Sequence, residues 1–241
     1  MNPHMTSVAM KDVTIGKCRL ILGDALDVLP SLSGQADLVV TDPPYRLTSG
    51  GNRPGAMGGK MAATVYDNSG LLMDVIDWAE IGGPIYRALK SDADAYVMAD
   101  DKNIFAAHGG FLGAGFKFHS LLTWDKITPS RTRYYMKDSE FTLYLWKGAA
   151  RDITNGGDKR ITRMARPKDA VHPTQKPIDL MAQYIGNSSR EGDLVLDPFM
   201  GSGTTLVAAA MLGRRAIGIE KSPVHFEAAC ARVSAAVREA A

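Results

Sequence analysis

The chain has 241 residues, 45% of them hydrophobic, enough to bury one large core, and residues 1–241 read as a single domain. A formal net charge of +2 excludes a polycationic surface, so any nucleic acid must be met by a local patch. Cys18 and Cys230 stand in no metal, redox or disulfide spacing, no apolar run reaches membrane-spanning length, and the first ten residues do not form a signal peptide; a soluble cytoplasmic protein is expected.

Short aliphatic runs alternate with helical patterns in βαβ order. The strand "CRLILG" precedes a short helix in "DALDVLPSL", then comes the strand "ADLVVT", ending at Thr41. "LLMDVIDWAEIGGPIYRALK" predicts a helix through Lys90, "DAYVMA" a strand, and residues near Asn103–Leu112 a helix. "FKFHSLLTW" and "FTLYLW" are consecutive enough to pair as an antiparallel end of the sheet. After Lys147 the pattern lapses. It returns with a helix near Pro177–Ile185, the strand "LVLD", a helix over Gly203–Leu212, the strand "AIGIE" and a helix from Pro223. Ser222 and Pro223 suit an N-cap and first helical position, and Gly213 suits a helix C′. The fold class is α/β: a doubly wound, mostly parallel sheet with an antiparallel strand at one end.

Ligands of such sheets sit beyond the carboxyl ends of the strands. Asp197 closes "LVLD", and Gly201 and Gly203 let the backbone turn tightly before the next helix. Taken alone, that segment can also be read as a tight turn without a ligand. Glu220, ending "AIGIE", is placed to accept the hydroxyls of a ribose. The third glycine of a dinucleotide fingerprint is replaced by Leu206, which disfavours NAD and FAD. An acid at Asp197 repels a pyrophosphate and attracts an α-ammonium, so a ligand with an amino-acid end and an adenosine end, S-adenosylmethionine, fits better.

"TDPPY" ends another strand. Prolines lack an N–H, so the carbonyls of Asp42, Pro43 and Pro44 are acceptors with no competing N–H at two successive positions. Such a corner can hold both hydrogens of an exocyclic amino group and turn its nitrogen toward a methyl sulfonium. Tyr45 offers a flat face on which an extruded base can stack. A rigid strand exit with a half-buried tyrosine is the competing reading.

"DPPY" at 42–45, "HPTQKP" at 172–177 and "DPFMGSGTT" at 197–205 together resemble the DNA amino-methyltransferases that modify adenine N6 or cytosine N4. The order, catalytic motif first and cofactor motif last, is that of the family's beta group, a circular permutation of the Rossmann-like methyltransferase sheet. The resemblance runs from about Arg19 to Arg232 and is weakest between Gly148 and Val171. It implies that Asp42, Pro43, Pro44 and Tyr45 hold the base. It implies also that Asp197, Phe199, Gly201, Gly203, Thr204 and Thr205 wrap the methionine part, that Glu220 takes the ribose, and that Asp24 and Ala25 meet the adenine of the cofactor. Thr174 and Lys176 are implied to touch its carboxylate. Asp24 is equally readable as a helix N-cap. "TWDK" at 123–126 and "SEFTLYLWKG" at 139–148 resemble family strands and receive no catalytic role. No metal is expected, and neither cysteine follows a proline, which argues against methylation at a ring carbon.

Residues 131–176 hold eleven Lys or Arg and five Asp or Glu, a local net charge of +6. Arg131, Arg133, Arg151, Arg160, Arg163 and Arg166 are therefore candidates to contact double-stranded DNA, and residues 148–171 form a short target-recognition insertion. So short a region raises the sharing of recognition between two copies in a homodimer. Residues 46–70, with six glycines, read as a mobile loop rooted at Tyr45, with Arg46 and Arg53 toward phosphates. The combined expectation is an S-adenosylmethionine-dependent DNA methyltransferase of the restriction-modification type, acting on adenine N6 of a flipped base. Cytosine N4 is the first alternative. A non-catalytic DNA-binding module and a Rossmann oxidoreductase are the readings from other classes.

Overall fold

The computed structural model describes residues 11–45, 76–130, 134–167 and 175–239. Residues 46–70, with Arg46 and Arg53, therefore lie outside the described residues, as do Arg131, Arg133 and Thr174.

A hairpin of β1 (Lys11–Ile15) and β2 (Cys18–Leu22) leads through α1 (Ala25–Val28) to β3 (Ala36–Thr41). Then come α2 (Trp78–Ala88), β4 (Leu89–Ala99) and α3 (Ile104–Gly113). The long pair β5 (Lys117–Ser130) and β6 (Lys137–Lys147) is followed by β7 (Ile161–Arg163) and α4 (Ile178–Ser188). The chain closes with β8 (Leu194–Asp197), α5 (Thr204–Met211), β9 (Arg215–Glu220) and α6 (Pro223–Glu239). Among the described residues all nine strands share one sheet in the order β1-β2-β9-β8-β3-β4-β6-β5-β7. From β2 to β4 every neighbour is parallel, and β6 is antiparallel to both β4 and β5. None of the described helices is long and apolar enough to cross a membrane.

The sheet is covered on both faces because its central strands carry runs of consecutive apolar residues, such as Leu38–Val40 and Ala95–Ala99. Val39 of β3 and Ala95 and Val97 of β4 face a core shared with α1, α2 and α3. Leu38, Val40, Tyr96 and Met98 point the other way, into a core with α4, α5 and α6. This period-two division is why an unbroken hydrophobic run becomes a strand buried on both sides. Leu38 and Val39 expose no surface, and burial of each contributes about 1.5–3 kcal/mol.

Three elements depart from the expectation. The helix expected to reach Lys90 stops at Ala88, and β4 begins at once, because Leu89 pairs with Ala36 and is fully buried. Strands β1 and β7 were not expected: β1 is a half-exposed hairpin arm carrying Lys11 and Asp12, and β7 is three residues held against β5.

One close approach bears on the site. A Cβ on Gly110 of α3 would stand 2.5 Å from the Trp78 carbonyl, so glycine there lets α2 and α3 touch. Trp78 then lies behind Tyr45, ring centroids 6.2 Å apart and planes 25° from parallel.

Candidate active site

The carboxyl ends of β2, β9, β8 and β3 lie side by side, and each ends in or is followed by an acid: Asp24, Glu220, Asp197 and Asp42. Asp197 is buried, and its Oδ1 accepts from Thr41 Oγ1 (2.8 Å) and from the Phe199 amide (3.1 Å). Burial pushes its carboxyl up to about 6, against hydrogen bonds from Thr205, Thr41 and Phe199 that favour the anion. Among the described residues it has no salt-bridge partner, so a cationic ligand would supply the charge it lacks.

Beyond Asp197 the backbone turns through Gly201 (φ +51°) and Gly203 (φ +80°), conformations that favour glycine. A Cβ on Gly201 would meet nothing within 4 Å, which leaves open space over the turn, whereas one on Gly203 would press to 3.0 Å against Ala229. Glu220 holds the turn, its Oε2 accepting from the Gly201 amide (3.0 Å) and its Oε1 from the Ser222 amide (2.7 Å). Burial raises its pKa, and those amides offset part of the rise. From α6, Arg232 reaches the Ser202 carbonyl (2.6 Å) and Thr204 Oγ1 (3.2 Å) and pins the turn from behind. Thr205 is buried with its hydroxyl toward the Val40 carbonyl, so it fastens the turn to β3. Asp24 caps α1 through the Leu26 amide (2.9 Å) and pairs with Lys221 (3.1 Å), while Ala25 is buried.

At the tip of β3, the Pro44 carbonyl accepts from the Ile76 amide (3.1 Å). It is thereby removed from the expected set of open acceptors. Asp42 is divided between two environments. Its Oδ2 accepts from Lys176 Nζ, whereas Oδ1 is covered and has no hydrogen-bond partner among the described residues. Lys176 also lies 3.1 Å from Glu140 Oε2, and Glu140 Oε1 lies 2.8 Å from Lys126 Nζ. Two buried lysines and two carboxylates thus alternate in a row. Burial pushes Asp42 up and Lys176 pulls it back, with Glu140 and Asp100 adding repulsion. Burial would lower Lys176, but Asp42 and Glu140 carry it well above the usual lysine range. Burial would likewise raise Glu140, but Lys176 and Lys126 hold it at about 2.

The row changes two expectations. Lys176 was expected at the carboxylate of a cofactor; its ammonium is instead enclosed by two carboxylates of the protein, which already neutralise it. Lys126 and Glu140, given no role from sequence, are joined to Asp42 through Lys176: Glu140 directly, Lys126 by way of Glu140. The sequence signals for them are the family-like stretches "TWDK" and "SEFTLYLWKG", which received no catalytic role, and a charged residue in each strand pattern, which by itself reads as a solvent-facing position.

The basic residues divide. Arg160 and Arg163 are exposed beside β7, where Arg163 pairs with Asp125 (3.3 Å), on the same end of the sheet as Glu140. Arg166 is exposed a few residues on. Arg151 instead lines a pocket with Asp94, Arg190 and Arg214. Asp94 precedes Ala99, the end of β4, by five residues, about 16 Å along the strand, so Arg151 is not brought to the Asp42 end.

Comparison with known proteins agrees with this geometry. A sequence model of a DNA methylase family, of the N6/N4 type, matches residues 36–163 and 157–231. The chain is 28% identical over 256 residues to the type II methyltransferase M2.DpnII of Streptococcus pneumoniae, covering 91% of this chain and 90% of that one. To M2.LlaDCHI of Lactococcus lactis subsp. cremoris it is 26% identical over 252 residues, covering 89% and 88%. Among solved structures, M1.HpyAVI in complex with SAM shares the fold at TM-score 0.69 and 24% identity, over 90% of this chain and 99% of that one. The cytosine-N4-specific PvuII DNA methyltransferase does so at TM-score 0.69 and 20% identity, over 91% and 87%. The chain belongs to the DNA methylases that use S-adenosylmethionine to methylate an exocyclic amino group, N6 of adenine or N4 of cytosine.

Proposed function

We propose that this DNA methyltransferase acts on adenine N6 in double-stranded DNA, with Asp42 as the acceptor that orients the amino group of a flipped base. The observation that carries the reading is the divided Asp42 carboxylate: Oδ2 tied to Lys176, Oδ1 buried and unpartnered among the described residues. A buried acceptor with no donor costs about 1–3 kcal/mol, a cost that an amino hydrogen of the base would relieve. The Pro43 carbonyl would take the second hydrogen, and Tyr45, backed by Trp78, would stack on the base. Adenine is preferred because the corner begins with aspartate rather than serine, which tilts the family reading toward N6, although both forms occur with either base. Arg160, Arg163 and Arg166 would meet the DNA backbone.

Asp197, Phe199, Gly201, Gly203 and Thr204 would hold the methionine end of S-adenosylmethionine, with Glu220 on its ribose and Asp24 with Ala25 near its adenine. The donor set fits: Asp197 lacks a cation, and open space lies over Gly201. When bound, the cofactor supplies an electrophilic methyl group on a sulfonium. Asp42 then stabilises positive charge as it develops on the amino nitrogen, and a proton becomes acidic enough to leave only once that nitrogen has bonded.

The identity of the base is tested by expressing the protein in cells lacking amino-methylation and hydrolysing their DNA to nucleosides for mass spectrometry. N6-methyldeoxyadenosine is expected; N4-methyldeoxycytidine alone would overturn the adenine reading. A second expectation follows from Asp197. Its carboxyl holds a proton up to about pH 6, so cofactor affinity measured by calorimetry should weaken as pH falls below that value, and Asp197→Asn should flatten the dependence. In the ligand-free protein the same shift lowers stability as pH rises toward about 6, because the native state keeps a proton that the unfolded chain releases near 3.8.

A further inference from the structure

The row Asp42–Lys176–Glu140–Lys126 draws one member from each of four segments: the tip of β3, the residues before α4, β6 and β5. Stability alone does not call for it, since buried ion pairs are often replaceable by apolar side chains without loss. Geometry gives it another use. The Lys176 ammonium meets two carboxylates, Oδ2 of Asp42 and Oε2 of Glu140, while Oδ1 of Asp42 has no hydrogen-bond partner among the described residues. Lys126 closes the far end, paired with Glu140 and 5.8 Å above the Trp124 ring.

We infer that Glu140 is a positioning residue for methyl transfer: it anchors Lys176 on Oδ2 of Asp42, so that Oδ1 stays directed at the amino group. The inference rests on the role given to Asp42 above. Without Glu140, Asp42 is the remaining described carboxylate in contact with the ammonium, and the short path to a bifurcated contact across both Asp42 oxygens is open. The row would also hold two lysines against the one carboxylate of Asp42, an excess positive charge that opposes positive charge developing on the nearby nitrogen.

The electrostatics give a readout that a purely structural role would not move. The groups acting on Asp42 are Lys176, Glu140 and Asp100, with Tyr45 beside it and Asp197 across on β8. Removing the negative charge of Glu140 removes a repulsion that raises Asp42, so Asp42 should ionise at lower pH.

The test is single-turnover methyl transfer from labelled S-adenosylmethionine to DNA free of amino-methylation, with enzyme in excess, for the parent, Glu140→Gln, Glu140→Asp and Asp42→Ala. Cofactor stoichiometry from calorimetry reports the folded fraction of each. Glu140→Gln is expected to slow transfer about 100-fold, the scale of a misplaced reacting group, with cofactor Kd unchanged and the acid limb of the rate profile moved to lower pH. Glu140→Asp should recover most of the rate. If Asp42→Ala is inactive while Glu140→Gln matches the parent in rate and acid limb, the inference on Glu140 is overturned and the role of Asp42 stands. A rate loss that only mirrors a fall in cofactor stoichiometry, with the limb unmoved, overturns it as well. An active Asp42→Ala would instead remove the reading on which the inference rests.

Discussion

Asp42→Ala is expected to lower the single-turnover rate of methyl transfer about 1,000-fold, the upper range for loss of one preorganised electrostatic contact. The loss has two sources. One is the acceptor itself: Oδ1 is the buried oxygen that no described group satisfies, and without it the amino group is neither held nor turned. The other is what remains. Lys176 stays nearby with Glu140, 3.1 Å away, as its described carboxylate, so a stabilising anion is replaced by a less compensated cation beside a nitrogen that becomes positive. Cofactor affinity should hold, since Asp197 and Glu220 keep their own hydrogen bonds to Thr41, Gly201 and Ser222. A rate within about tenfold of the parent, which is about 1.4 kcal/mol of barrier, would show that another group orients the base.

Lys176→Met should act chiefly on stability, lowering the unfolding free energy by about 3–5 kcal/mol at neutral pH, the usual cost of removing one partner from a buried charge group. The substitution leaves Asp42 and Glu140 in the interior with Lys126 as their remaining described cation. Its pH dependence separates charge from packing. In the parent, Glu140 titrates at about 2, below the ordinary 4.5, so its contribution is complete above 4.5 and is lost as pH falls toward 2. In the variant both carboxyls move up, and the native state takes up protons before the unfolded chain does. Stability of the variant therefore falls with rising pH, and the two proteins should converge in mild acid. Urea unfolding across that range decides it: an equal deficit at about pH 5 and about pH 8 would assign the loss to packing.

What could be read in advance depended on how local each feature is. Asp197 and Glu220 were legible as strand-end acids because three or four apolar residues closing in an acid, with glycines or Ser-Pro shortly after, form a signal contained within ten residues. The buried strands "ADLVVT" and "LVLD" were legible for the same reason. Strand β1 was not, since Lys11, Asp12 and Thr14 break its apolar pattern and only the hairpin with β2 makes it a strand. The end of α2 was misplaced because no glycine or proline marks it; burial of Leu89 against the sheet decides where helix gives way to strand. Lys126 and Glu140 were illegible as parts of the site for a different reason. Their partners lie on other segments, Lys176 being 134 residues from Asp42 in the chain, and a charged residue in a strand has the signature of a solvated face whether or not it is buried. The Pro44 carbonyl was assigned too freely, because a missing donor at the next residue does not stop a distant amide, that of Ile76, from reaching it.

Strands β2 and β3 follow one another in the chain, yet β9 and β8 stand between them. The Thr41–Asp197 hydrogen bond therefore spans 156 residues, and the middle of the sheet is made from its last-synthesised strands. As the chain leaves the ribosome, β3 can pair with β4 and β1 with β2, but one edge of β2 and one edge of β3 wait unpaired for residues 194–220. Such edges are templates for mispairing, and the contacts that close them are among the longest in sequence and so among the slowest to form. Placing the proposed catalytic corner ahead of the proposed cofactor turn thus carries a kinetic consequence: the two are brought side by side only when β8 and β9 fill the gap between β2 and β3.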